Sequence, residues 1–416
     1  MQITSFNTLA RPLKSAAKFV YSQEQASGLS TTRFIQDTGT CLVPKAVFAR
    51  SKADLAENSL LELSESALVY FAPAFIGEKI ARKVFSKNLS PKAKNLVSKP
   101  AVELLKTNSA LNKKILPAKA AIALSAMIIP LTEFTLNYFK NLFTLKTFKK
   151  ADFNNIASLE KKEESKDYQK RVEKSAKKNI LRAVGIFAGC LGLGALIAKR
   201  GQNSKALQGL SEAILAPGTK FFKNNAKKRD FFNKYFSLDF AQQDGKLVLS
   251  KGQLTSCVLI GGAGYFGAAK DRGKQNFLET LFRYPLVGFY IITGSDLFEK
   301  GFKKLLLKAG KCQETISKDL KTPSFEEIEV LAKKIAERKK SSYKEEFKKL
   351  TKQKVLIFGV PFLFSIGVMG FFVAGISNLF TKFRFNQEQK LKNFVINDSF
   401  FSLNTSDTLE NHASFI

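Results

Sequence analysis

Apolar residues along the chain gather in blocks, most of them separated by Lys-rich stretches of 40 residues or more. The longest block, Val355 to Thr381, holds 27 residues without a charge, with Lys354 before it and Lys382 after. About 20 apolar helical residues cross the roughly 30 Å core of a bilayer, so this block predicts a membrane-crossing helix. Four further blocks precede it: 120–139 with Pro130 and the single charge Glu133, 181–198, 252–269, and the short 284–298, interrupted by Pro285 and Gly294. The pattern predicts an all-α polytopic membrane protein with about five transmembrane helices (four to six) and basic amphipathic helices in its aqueous loops. The expected organisation is a basic helical region over 1–115, a membrane region over 116–300, a polybasic arm over 301–354, the last span over 355–381 and a polar tail over 382–416.

Outside the blocks the period is also helical. Ala56, Leu60, Leu63, Ala67, Tyr70, Phe71 and Ala74 recur at i, i+3 and i+4, predicting one apolar face from about Asp54. Asp54, Glu57, Glu62 and Glu65 fall on the other side. With no His beside them, they read as a solvated acidic face rather than a metal or acid–base site. Leu9, Leu13, Ala16, Ala17 and Val20 predict a short basic amphipathic helix on a membrane surface, although a mitochondrial transit peptide has a similar composition. Residues 24–50 read as irregular, and Phe75 to Leu116, broken by prolines, as short helices. Ser324-Phe325-Glu326-Glu327 fits a capping box and opens the polybasic segment. Continued without a break into the last span, that helix would measure roughly 85 Å at 1.5 Å per residue.

Charge adds a direction. The chain carries 67 basic and 35 acidic residues, net +32. With five crossings and the N-terminus inside, the cytoplasmic segments total +24 and the opposite ones +9; without the short fourth block the two sides tie at +16. The positive-inside rule therefore favours five crossings, with the polybasic arm in the cytoplasm and the tail outside, in a bacterial cytoplasmic membrane. Lys333, Lys334, Arg338, Lys339, Lys340, Lys344, Lys348, Lys349 and Lys352 are the expected contacts with anionic membrane lipid. Nucleic acid is a less suitable partner, because the excess is mostly Lys and no aromatic-interleaved Arg cluster stands out.

Catalytic chemistry finds little support. The one histidine, His412, stands five residues from the end, which argues against Ser-His-Asp, Cys-His and multi-His metal centres. Cys41, Cys190, Cys257 and Cys312 form no CxxC. No catalytic residue, cofactor, metal site or small-molecule substrate is predicted. Gly262-Ala263-Gly264-Tyr265-Phe266-Gly267 matches GxGxxG after a possible strand, Leu254 to Ile260, but lacks the βαβ context and the following acid of a dinucleotide site. Gly264 and Gly267, like Gly185 and Gly189 and the looser Gly370–Ala374 pair, read instead as helix-packing positions, within one bundle or in a homo-oligomer. The chemical lead is polar groups at membrane depth: Glu133, and Thr293, Ser295 and Asp296 at the end of the fourth block. The leading expectation is a non-catalytic protein that organises membrane or recruits partners through Lys-rich helices. The alternative is a transporter or channel component using Glu133 and Asp296.

Overall fold

The computed structural model describes residues 4–25, 39, 42–74, 99–107, 110–243 and 246–412. Most of them are helical: α1 (Arg11–Gln25), α2 (Lys52–Ala74), α3 (Ala110–Ser125), α4 (Ile128–Phe148), α5 (Lys166–Arg200), α6 (Lys205–Leu215), α7 (Ala226–Tyr235), α8 (Lys251–Asp271), α9 (Lys274–Phe289), α10 (Ser295–Lys308), α11 (Phe325–Lys339), α12 (Tyr343–Phe364) and α13 (Val373–His412). A small antiparallel hairpin, Ala241–Gln243 with Lys246–Val248, pairs Ala241 with Val248. Three helices are long and apolar enough to cross a bilayer: Lys114–Phe148, Lys166–Arg200 and Tyr343–Phe394. The expected five are thus three by length and apolarity among the described residues. The 252–269 and 284–298 blocks form helices that fall short of those criteria.

The centre is α4, flanked by helices of alternating direction. Side by side on it runs α8, in the same direction: Ile129 packs with Cys257, and Asn141 Nδ2 donates to the Ala268 carbonyl at 3.0 Å. Antiparallel to α4 runs α5, with Leu145 against Val172, Tyr138 against Ala176, and Gly194 against Ala121. Also antiparallel is α2, since Glu57 meets Thr144 while Leu68 meets Ile129. Returning along α8, α9 sets Phe277 on Phe266, and Tyr284 Oη donates to the Val258 carbonyl at 2.7 Å. A π-helical turn, Tyr290–Gly294, leads into α10. The last helix passes through a second π segment, Ser365–Phe372, and descends beside α9 and α10, stacking Phe364 on Phe298 at 3.9 Å and setting Phe380 at a tilt to Phe282 at 5.5 Å. Tyr290 and Ser365 hydrogen-bond where the two π segments meet.

The glycine-rich segment is helix throughout, which removes the possible strand at 254–260. Its glycines let α8 approach its neighbours: a Cβ on Gly264 would lie 2.7 Å from the Phe134 carbonyl, and Gly267 faces Tyr138. Gly185 and Gly189 differ. A Cβ at either would meet nothing within 4 Å, so their face of α5 is open, and at Gly194 it would meet Ala121 in ordinary contact. Ala374 is buried and Gly370 half-buried.

The polybasic segment forms a helical hairpin, not one long rod. The capping box at Ser324 is present, with Ser324 N–H donating to Glu327 Oε2 at 2.7 Å. At Lys340 the backbone turns left-handed (φ 52°), ending α11 so that it folds back on α12. The groove between them is filled by the N-terminal segment. Phe6, Leu9, Ala17 and Val20 share one apolar core with Phe325, Ile328, Ile335, Phe347 and Leu350. The apolar face of α1, expected on a membrane surface, is therefore occupied by the hairpin. At the other expected positions, residues 42–47 are helical, Pro117 sits inside α3 rather than breaking it, and 75–98 lie outside the described residues.

Candidate functional site

At 100° per residue, Asp54, Glu57, Glu62 and Glu65 occupy an arc of about 140° on α2. That face points inward, against α4 and α8, and not to solvent. Asp54, Glu57 and Glu62 are buried, while Leu63 on the predicted apolar side is exposed. This overturns the solvated-face reading. A buried carboxylate needs a donor or a countercharge, and the sequence supplies these from distant segments.

Each carboxylate has its own partner. Glu57 accepts a fork from Arg272, at 3.2 and 2.7 Å, and a third bond from Thr144 Oγ1 at 2.8 Å. Arg272 itself is only 1% exposed. Arg50 binds Asp54 at 3.3 Å and reaches across to Glu279 with both terminal nitrogens, at 2.8 and 3.2 Å. Its guanidinium also stacks over Phe153, 4.8 Å from the ring centre. Burial works against the charge of Arg50, but Glu279 and Asp54 outweigh it and raise its pKa above the ordinary value. Lys45 pairs with Glu62. One turn further, Glu65 accepts from Tyr265 Oη at 3.0 Å, and the Lys140 ammonium lies 5.9 Å above the Tyr265 ring.

Glu133 approaches this column from α4. A Cβ on Gly261 would stand 3.0 Å from its Oε2, so the missing side chain is what lets the carboxylate lie against α8. The Cys257 thiol lies beside it, and Oε2 is buried with no hydrogen-bond partner among the described residues. The other residues of the predicted polar site are elsewhere. Asp296 pairs with Lys251 at the start of α8, Thr293 lies beside Tyr235, and Ser295 opens α10. Lys251 and Gly261 are separated by ten helical residues, about 15 Å. Glu133 is thus grouped with Glu65 and Tyr265, and not with Asp296.

The nine predicted lipid contacts, Lys333 to Lys352, are all exposed on the outside of the hairpin. Lys339 and Lys349 converge on Glu314, at 2.6 and 3.0 Å. Lys333 lies over the Tyr343 ring.

Reading the sequence missed Arg50, Lys45, Lys140, Tyr265 and Arg272, the groups that make the acidic face buriable. Arg272 lies just beyond the α8 C-terminus. Four acids at helical spacing on a segment with enough Leu and Ala to bury were the available signal. Among the described residues, no group of three or more His, Cys, Asp or Glu is placed to hold a metal ion. No known protein family, curated protein or solved structure matches this chain.

Proposed function

We propose that this is an integral membrane protein with a non-catalytic role, organising membrane by binding anionic surfaces through the basic hairpin. The observation that carries the reading is the hairpin's construction. Its apolar side is filled by α1, nine of its ten cations face out, and α12 continues directly into the most apolar of the long helices among the described residues. At 1.5 Å per residue the arm's share of α12, residues 343–354, is about 18 Å long.

Membrane embedding is supported by what the long helices leave uncovered. Leu181 is 71% exposed, Leu379 69% and Phe372 60%, and faces of that kind need an apolar surround. The alternating directions of α3–α4, α5, α8, α9–α10 and α12–α13 agree with five crossings. The segment after α5 and the segment from α10 to α12 then lie at one end, together with α1. These are the stretches that the charge bias assigns to the cytoplasm. Enclosed by α4 and α8, α2 would add an inner helix too charged to face lipid.

The test uses the full chain in zwitterionic proteoliposomes mixed with labelled vesicles rich in phosphatidylglycerol. Clustering that falls steeply with salt is expected, and replacing Lys334, Arg338, Lys344, Lys348 and Lys352 by Gln should abolish it. Clustering indifferent to lipid charge would overturn the reading.

One observation favours a second reading. The buried, unpaired Glu133 oxygen beside Glu65 suits a proton or cation path through the bundle. On that reading Glu133→Gln abolishes proton flux in proteoliposomes; unchanged flux, or none in the parent, removes it.

A further inference from the structure

We infer that α7 and the turn before it form an in-plane anchor that seats this end of the bundle among anionic phospholipid headgroups. The inference rests on the embedding proposed above and concerns a surface separate from the hairpin. Helix α7 has no buried residue. Its aromatic side chains pack on one another instead. Phe232 lies 4.5 Å from Phe222 and 5.1 Å from Phe236, and Phe231 lies 5.1 Å from Tyr235, ring centre to ring centre. The cluster is left open to the outside: Phe221 is 65% exposed, Phe231 51% and Phe236 42%. Around it stand Lys223, Lys227, Lys228 and Lys234, all exposed, against one acid, Asp230, between residues 217 and 236. Aromatic rings with a cationic rim are the composition of a helix that lies at the boundary between acyl chains and headgroups.

Position agrees with composition. Helix α7 packs against α8, Tyr235 lies beside Thr293, and close by Lys251 pairs with Asp296. These contacts place α7 level with the start of α8 and the end of the short apolar block, where apolar helix gives way to charged segments. The rings also argue against nucleic acid. Stacking on bases needs free ring faces, whereas Phe232 is spent between Phe222 and Phe236. Hydrocarbon accepts the exposed edges, and anionic headgroups meet the lysines.

The chain contains no Trp, so one substitution supplies a single indole reporter. Phe231→Trp and, separately, Leu379→Trp are made in the full chain and reconstituted in liposomes. Brominated phosphatidylcholine or brominated phosphatidylglycerol is included at equal mole fraction. For Phe231→Trp we expect quenching by lipids brominated near the headgroup end of the chain, protection from aqueous acrylamide, and at least twofold stronger quenching by the anionic lipid. Adding Lys227→Gln, Lys228→Gln and Lys234→Gln should erase that preference. If Leu379→Trp is quenched by lipid while Phe231→Trp stays open to acrylamide, the anchor fails and embedding stands. If neither is quenched by lipid, both fail. Equal quenching by the two lipids, or protection of Phe231→Trp only on adding RNA or a protein, also overturns the assignment.

Discussion

The bundle and the arm are built on opposite plans. Around α2, carboxylates, an arginine and a tyrosine hydroxyl are turned inward, and Leu, Val and Phe are left on the outside of α5 and α13. In the arm, Phe325, Ile328, Phe347 and Leu350 are turned inward, and Lys and Arg cover the outside. The same chain thus applies two rules for what to hide. Each rule fits a different surround: a protein facing water hides apolar surface, and one facing hydrocarbon hides polar groups and pairs them. The change of rule falls within α12 itself, just after Lys352, where Leu356 and Leu363 are already exposed.

The sharpest way to break this contrast is at Arg272. Replacing it with Met leaves Glu57 buried with Thr144 as its remaining neutral donor. Losing one partner of a buried ion pair costs about 3–5 kcal/mol. A thermal unfolding scan in detergent should register that loss, and adding Glu57→Leu should recover much of it. If Arg272→Met is neutral, the column is not a packed interior. Next in size is Phe372→Lys, on the exposed face of the last helix. In a bilayer centre lysine costs about 2.5–3.5 kcal/mol on the insertion scale, so apparent insertion should drop sharply. A protein whose exposed face meets water would tolerate the change within about 0.5 kcal/mol. In the arm, Ile328→Val removes one methyl group from a fully buried side chain. A loss of about 1 kcal/mol is expected, read as faster proteolysis between α1 and the bundle.

The contrast also explains which parts could be read from the residues alone. The last span was legible because 27 consecutive positions carry no charge. Helix start at Ser324 was legible because a capping box is local, its two hydrogen bonds spanning three residues. The glycine contacts of α8 were legible because only small residues admit such close approach. Helix α2 was misread because hydropathy counts a carboxylate against burial, and its countercharge came from elsewhere: Arg272 lies 215 positions from Glu57. The fold of the arm was hidden for a related reason. Lys340 takes the left-handed conformation without a glycine to announce it, and the α1 face that fills the groove lies more than 300 residues away. Glu133 was found by its isolation in an apolar block, but its neighbours were not, since Glu65 and Tyr265 lie on two other helices.

The smallest effect belongs to Glu314, and it tests the outside of the arm. Lys339, joined by Lys349, holds the Glu314 carboxyl below its ordinary value. A depressed folded pKa means that the pairing is fully formed above the ordinary carboxylate range, near about 4.3, and is lost as pH falls through the depressed value. At neutral pH Glu314→Gln should therefore leave stability nearly unchanged, since exposed pairs contribute little. It should instead release two cations from competition. Clustering of phosphatidylglycerol vesicles should then persist to higher salt in Glu314→Gln than in the parent. Lowering the pH of the parent through that depressed value should move it in the same direction. The corresponding change in the bundle, Glu57→Gln, removes a buried charge opposite Arg272 and should unfold the protein rather than alter vesicle clustering. Should Glu314→Gln leave the salt dependence unmoved, the cations at Lys339 and Lys349 do not take part in surface binding, and the basic contact is confined to the rest of the hairpin.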